Sequence, residues 1–262
     1  MRVFASLLAA SLALAAPAAA SPRRVASLNL CTDELLLVLA APGQIASVTH
    51  LAQDEAETPL WRQARRYRRN DGSLLSVVAL RPDLVVTMGG GVRDRSGIAA
   101  RLGIRTLDLP FASGIADVEA NIRRLAAALG REERGAALIA RIEALRASAP
   151  RPAADAIWLG GGGRTVNPAG LEAQWMRLAG LAQRPMYGDR VSLETLIARP
   201  PAVLLRSDYR QGQYSNAQRW LDNPAVRHAR AGRTIATDGR LWTCMGPLLI
   251  GEVARLRRVL AR

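Results

Sequence analysis

The chain carries two cysteines, Cys31 and Cys244, and two histidines, His50 and His228. A cysteine at the first turn of a helix has a lowered thiol pKa, and a nearby histidine could serve as its base, so Cys31 and His50 are the pair to test for nucleophilic chemistry. No third residue stands out to orient such a pair. No two histidines fall on one helix face as a zinc hydrolase requires, and no paired-carboxylate spacing appears. A thiol redox enzyme would bring two cysteines close in sequence, whereas these lie near opposite ends. The four glycines from Gly160 to Gly163 do not have the spacing of a nucleotide fingerprint and read as a loop that lets a ligand approach the backbone. The reactive residues thus point to binding rather than catalysis, with a thiol-dependent metal-handling or redox protein using Cys31 and Cys244 kept as the alternative.

These residues sit at turns between short elements. RRVASLNL (Arg23 to Leu30) reads as a strand, and CTDELLLVLA as a helix capped by Thr32 or Asp33, which puts Cys31 at a strand-to-helix turn. QIASVTH ends a second strand at His50, and ALRPDLVVTMGGG and GIRTLDLP supply two more. ADAIWLGGGG opens a second series, which continues through the helix LEAQWMRLAGL, the strand Thr234 to Thr237 and a last helix, Leu248 to Leu260. Strands alternating with helices in short units predict an α/β fold with mainly parallel pairing, whose ligands bind at the carboxyl ends of the strands.

The region from Ile115 to Ala149 has apolar residues at helical spacing. Gly130 ends one helix, Arg131 opens a second, and Pro150 and Pro152 stop it. The chain on its two sides looks alike. SLLSVVALRPDLVVT (Ser73 to Thr87) and SLETLIARPPAVLLR (Ser192 to Arg206) are each a short helix, a proline and an apolar strand, with Ser73 matching Ser192 and Pro82 matching Pro201. Two similar α/β halves joined by a long helical connection predict two lobes with a cleft between them.

Arg2, an apolar run and APAAA before Ser21 read as a cleavable secretory signal over residues 1–20, which places the mature chain in an oxidising compartment. The formal charge is +14 and every basic residue other than histidine is arginine. A basic exported chain could bind nucleic acid, anionic lipid or an anionic small ligand, but the arginines are scattered with no aromatic-interleaved groove, which argues against nucleic acid and equally fits a base composition that favours arginine and alanine.

RVASLNLCTDELLLVLA, the helix ending in ALRPDLVV, the long middle segment and SLETLIARPPAVLL together resemble the ABC-transporter substrate-binding proteins for metal chelates; NLCTDELLL and LWTCMGP resemble a branch with both cysteines. The resemblance implies a periplasmic, monomeric class III binding protein: two Rossmann-like lobes with mainly parallel sheets joined by one long rigid helix. It binds a metal chelate (ferric siderophore first, cobalamin or haem next), has no cofactor of its own and delivers to membrane permease subunits. The expected organisation is a first lobe over 21–113, a helical linker over 114–150 and a second lobe over 151–262.

The expected ligand contacts are the strand-end residues Asn29, Cys31, Thr32, His50, Trp61, Arg93, Gly161, Gly162, Arg206, Tyr209, Arg210, Trp242 and Cys244. Aromatic rings suit macrocycles and catechols, and Arg93, Arg206 and Arg210 suit an anionic chelate. Cys31 and Cys244 are expected to border the cleft, either bonded across it or both facing the ligand. The resemblance also implies one docking glutamate on each lobe. Glu194 matches it in the second lobe, but Leu75 occupies the first-lobe position, leaving Asp71 as the nearest acid.

Overall fold

The structure is a computed structural model that describes residues 21–91, 96–208, 223–227 and 232–262. The proposed leader 1–20, Arg93, Tyr209, Arg210 and His228 lie outside the described residues. Among the described residues no helix is long and apolar enough to cross a membrane.

The first half runs β1 (Val25–Ser27), α1 (Leu30–Leu39), β2 (Ile45–Thr49), α2 (Trp61–Ala64), β3 (Arg68–Asn70), α3 (Leu74–Val78), β4 (Leu84–Met88), α4 (Ser96–Arg101) and β5 (Arg105–Leu109). Its five strands are all parallel in the order β3-β2-β1-β4-β5. The linker contains α5 (Ile115–Leu129) and α6 (Glu132–Ala147). The second half runs β6 (Ala154–Leu159), α7 (Leu171–Leu178), β7 (Leu181–Gln183), α8 (Leu193–Ala198), β8 (Val203–Asp208), α9 (Pro224–Arg227), β9 (Arg233–Asp238), α10 (Leu241–Cys244) and α11 (Leu249–Leu260). Its four strands are parallel in the order β7-β6-β8-β9. Without the edge strand β3, the two sheets have the same order, as the sequence repeat predicts. Strand β3 (Arg-Arg-Asn) is polar and β7 (Leu-Ala-Gln) is only three residues long, so neither shows the apolar run by which longer strands are read.

The link between the halves consists of two helices and not one continuous rod. Gly130 takes a left-handed conformation (φ 64°) that an L side chain disfavours, and the chain reverses there. Helix α6 then runs back along α5. Gly135 lies so close to Ala126 that an added Cβ would sit 2.6 Å from the Ala126 Cβ, and Arg146 at the far end donates to Glu119 near the start of α5 at 2.6 Å.

Strand alternation divides the core. Val25, Leu84, Val86, Val203 and Leu205 point to one side, where α1, α5, α7 and α11 supply Leu36, Ile122, Trp175, Met176 and Leu256 to one cluster continuous through both halves. Ala26 and Val85 point to the other side of the first sheet and pack with Leu74, Val77 and Ile104. Ile157 and Leu204 do the same in the second sheet with Leu196 and Val226, in a separate cluster.

Candidate ligand-binding site

All strands of a parallel sheet end on the same edge, so one contact between the two carboxyl edges locates the cleft for both sheets. Several such contacts exist. Cys31, in the first turn of α1 just after β1, is disulfide-bonded to Cys244, at the end of α10 after β9, with Cα atoms 5.1 Å apart. Arg240, just beyond β9, donates through Nη1 to the backbone oxygen of Glu55, beyond β2, at 2.7 Å. At the linker, Ile115 N donates to Gln174 Oε1 of α7 at 3.0 Å. The carboxyl edges therefore face each other across a cleft whose floor is the disulfide and whose back wall is the shared core. No free thiol remains among the described residues, so neither sulfur is available as a nucleophile.

Two hollows lie along these edges, the second of them lined by both cysteines. One, between Asp54–Ala56 and Ala236–Leu241, is polar and wide. The other is a cavity of about 220 Å³ beneath the ends of β4 and β5, closed by Leu35, Met88, Phe111, Val118 and Met245. Gly89 (φ 71°) admits the Phe111 ring here, since an added Cβ would meet it at 2.2 Å.

Two adjacent acids of α1 are buried, and one of them, Glu34, lines the second hollow. Asp33 accepts from the backbone N–H of Thr49 at 3.1 Å and from its hydroxyl at 2.5 Å, which fixes α1 to β2. Burial pushes its carboxyl up to about 7 against those hydrogen bonds. Glu34 accepts from Thr58 Oγ1 at 2.6 Å, and burial, followed by the charges of Asp33 and Asp238, raises it to about 7 as well. Among the described residues no group of three or more His, Cys, Asp or Glu is arranged to hold a metal ion.

Comparison with known proteins is decisive at the level of family. A family model described as "Periplasmic binding protein" matches residues 25–235. The chain belongs to the periplasmic binding protein family. A search of curated proteins finds no significant match. Among solved structures, a periplasmic heme binding protein from Pseudomonas aeruginosa is 21% identical (TM-score 0.62, covering 91% of this chain and 92% of that one). The heme-binding protein BhuT in complex with two hemes is 20% identical (TM-score 0.65, 92% and 98%). The siderophore binding protein BauB, bound to two acinetobactin molecules and ferric iron, is 15% identical (TM-score 0.70, 91% and 93%). At these identities the likeness shows the fold.

In this periplasmic binding protein the predicted contacts fall into three groups. Cys31, Cys244, His50, Gly161 and Gly162 lie on the carboxyl edges. His50 is exposed directly after β2, and the Gly162 carbonyl accepts from Arg190 at 2.7 Å. Asn29 adjoins Cys31 but caps α1, its Oδ1 accepting from Cys31 N at 2.9 Å. Arg206 is half-buried within β8, between Leu159 and Ala236.

Two further predicted contacts, Thr32 and Trp242, are packed inside the protein. Thr32 is buried and bonds Ser27 Oγ at 2.7 Å. Trp242 is buried, donates to Thr237 Oγ1 at 2.9 Å and meets Trp158 edge-on at 6.2 Å. Both hold the strand ends in place instead of presenting a surface to a ligand. Trp61 is half-buried between the guanidinium groups of Arg62 and Arg65, 4.6 and 4.4 Å from its ring. Glu34, Asn121 and Phe111 border the cavity without having been predicted. Their sequence surroundings are those of ordinary helix and loop residues, and only the packing of α5 against α1 brings them together.

Proposed function

We propose that this chain is the periplasmic solute-binding component of an ABC importer: it captures a metal chelate in the cleft and hands it to membrane permease subunits. The observation that carries the reading is the pair of parallel carboxyl edges facing across a floor tied by Cys31–Cys244, in a chain of this family. The ligand is a ferric siderophore in the first instance, with cobalamin or haem next. The abundance of arginine supports an anionic chelate, and the relatives described as bound to heme or to a ferric acinetobactin complex support the ligand class. The protein is exported by the leader 1–20 and acts as a monomer, without catalysis. It uses a first lobe over 21–113, a helical linker over 114–150 and a second lobe over 151–262. His50 and Arg206 contact the ligand from opposite lobes. Thiol-dependent chemistry is disfavoured because both sulfurs are consumed in one bond.

The test is titration of the purified chain with ferric catecholate and hydroxamate siderophores, haemin and cyanocobalamin, followed by tryptophan fluorescence. One class binds, and Arg206→Ala weakens it by the loss of a charge-assisted hydrogen bond, about 1.5–3 kcal/mol. If none of the four binds and no chelate co-purifies from the native host, the reading fails.

A further inference from the structure

Five of the eight residues from Arg62 to Arg69 are arginine, far above the average of a chain with 36 basic residues in 262. No acid occurs between Glu57 and Asp71 to balance them. All five are exposed. The chain stays compact here: Arg65 N donates to Trp61 O at 3.0 Å, Arg66 N to Gln63 O at 3.2 Å and Tyr67 N to Ala64 O at 3.1 Å, before β3 begins at Arg68. The five charges are therefore neighbours in space. Strand β3 is the outermost of its sheet, and strand alternation sends Arg68 and Arg69 to opposite faces, so the patch wraps around the sheet edge.

Nothing in the fold neutralises this patch. Among the described residues no ion pair involves any of the five. Arg62 and Arg65 lie over the Trp61 ring, and Arg65 Nε donates to Gln53 O at 3.3 Å. The side chains of Arg66, Arg68 and Arg69 have no partner among the described residues. Charges on an edge strand keep it from pairing with another chain, which accounts for Arg68 and Arg69. That role does not extend to Arg62, Arg65 and Arg66, which precede the strand. The shape of the partner follows from the surroundings. None of the five lines either hollow of the cleft, so the patch does not enclose a small anion. The aromatic residues of the run are committed elsewhere: Trp61 is half-buried and carries two guanidinium groups, and Tyr67 packs against the shared core. No platform is left on which nucleic-acid bases could stack. What remains is an exposed, uncompensated set of guanidinium groups suited to an extended array of phosphates.

We propose that the β3 edge of the first half is a membrane-contact surface, on which Arg62, Arg65, Arg66, Arg68 and Arg69 meet the phosphate headgroups of an anionic bilayer. The contact is electrostatic and reversible, because a patch of this kind lies on the headgroups without inserting a chain into the lipid. Its use rests on the importer reading above: a carrier held loosely at the membrane searches for its permease in two dimensions. The contact itself is measured without chelate or permease, so a failed chelate titration would leave it untouched.

The experiment is co-sedimentation of the exported protein, free of its apolar leader, with vesicles of phosphatidylcholine alone or with about one-third phosphatidylglycerol. The protein binds the anionic vesicles and not the neutral ones, and binding weakens steeply from about 50 to about 300 mM salt. Each arginine at an anionic surface strengthens binding about fivefold, so Arg66→Gln, Arg68→Gln and Arg69→Gln together weaken it about 100-fold. These three side chains have no partner to lose, and thermal melts of the triple variant match the wild type. A second triple variant, Arg124→Gln, Arg141→Gln and Arg258→Gln, removes the same charge from exposed positions on α5, α6 and α11 and weakens binding less than tenfold. Equal losses in the two variants would mean that net charge alone attracts the protein, and the proposal would fall. It would also fall if neutral and anionic vesicles bound alike, or if a double-stranded oligonucleotide bound more tightly than the anionic vesicles and lost that binding in the first variant.

Discussion

The two sides of the sheet pair are built differently. On the side of α1, α5, α7 and α11 a single apolar cluster passes from one half of the chain to the other through the linker. On the opposite side each sheet has its own small cluster, under α3 and α4 in the first half and under α8 and α9 in the second. Separating the halves on the first side would expose apolar surface common to both, whereas on the second side no shared cluster resists. The front helices teach a second lesson. Ser73 accepts from Ser76 N at 3.2 Å, and Ser192 from Thr195 N at 3.1 Å, so the two caps are equivalent. One turn on, Leu75 is 75% exposed where the second half has the exposed acid Glu194. The backbone repeats while the surface chemistry does not.

The shared core gives the largest expected effect. Trp175 is fully buried and donates to Met245 O at 3.0 Å, so it joins α7 to the cleft floor. Trp175→Ala should cost roughly 3–5 kcal/mol and lower one common transition in guanidinium denaturation. Two separated transitions would break the comparison, because the halves would then be unfolding independently.

Next is the tether. Replacing Cys31 and Cys244 together by serine should cost about 2–4 kcal/mol, measured against the wild type without reductant. A loss near zero would mean that the shared core alone holds the halves together.

The buried acids make stability fall as pH rises. In an unfolded chain Asp33 and Glu34 would lose their protons near pH 4, but in the folded protein burial holds both up to about 7. Between these limits the folded state binds more protons than the unfolded one. Stability should therefore decrease from about pH 4 to about 7, by roughly 1.4 kcal/mol per pH unit for each proton, and level off above. Asp155, held below its ordinary range by the hydrogen bond from Arg184, acts in the opposite sense and loses its contribution as pH falls toward acid. Thermal melts should peak on the acid side of neutrality. A melting temperature that rises from pH 5 to 8 would contradict the assigned burial of the α1 acids.

The smallest stability effects fall on the front helices. Ser73→Ala and Ser192→Ala should each cost about 1 kcal/mol and match one another, as equivalent caps should. Leu75→Ala and Glu194→Ala should change stability by less than about 0.5 kcal/mol, since both residues are exposed. Transport separates them. Glu194→Ala should reduce uptake while leaving ligand binding intact. Asp71→Ala should do so only if Asp71, which accepts from Ser73 N at 2.8 Å, substitutes for the missing first-half glutamate. Normal uptake with Glu194→Ala would leave Glu194 only the helix-end role, worth about 0.3–1 kcal/mol.

Much of the architecture was legible in the chain because it depends on local periodicity. The apolar runs of β4 and β8, the helical stripe from Ile115 onward, the break at Gly130 and the repeated Ser-helix-Pro-strand unit are patterns of neighbours, and patterns of neighbours survive without coordinates. The strand ends that carry Cys31, His50 and Gly161 follow from the same periodicity. What periodicity cannot show is which way a turn residue faces once distant elements pack. Thr32 and Trp242 have the polarity and position of cleft residues, yet Ser27 and Thr237, each five residues away, draw them inward. Glu34 and Asn121 line one cavity although they are far apart in sequence, because α5 packs against α1. The sequence by itself determined two parallel α/β units and the turns at which a ligand could be met. Tertiary structure alone decided that Cys31 bonds Cys244, that the halves share one core, and that Glu34 and Asn121 border one cavity, since each depends on contacts between segments that no local signal relates.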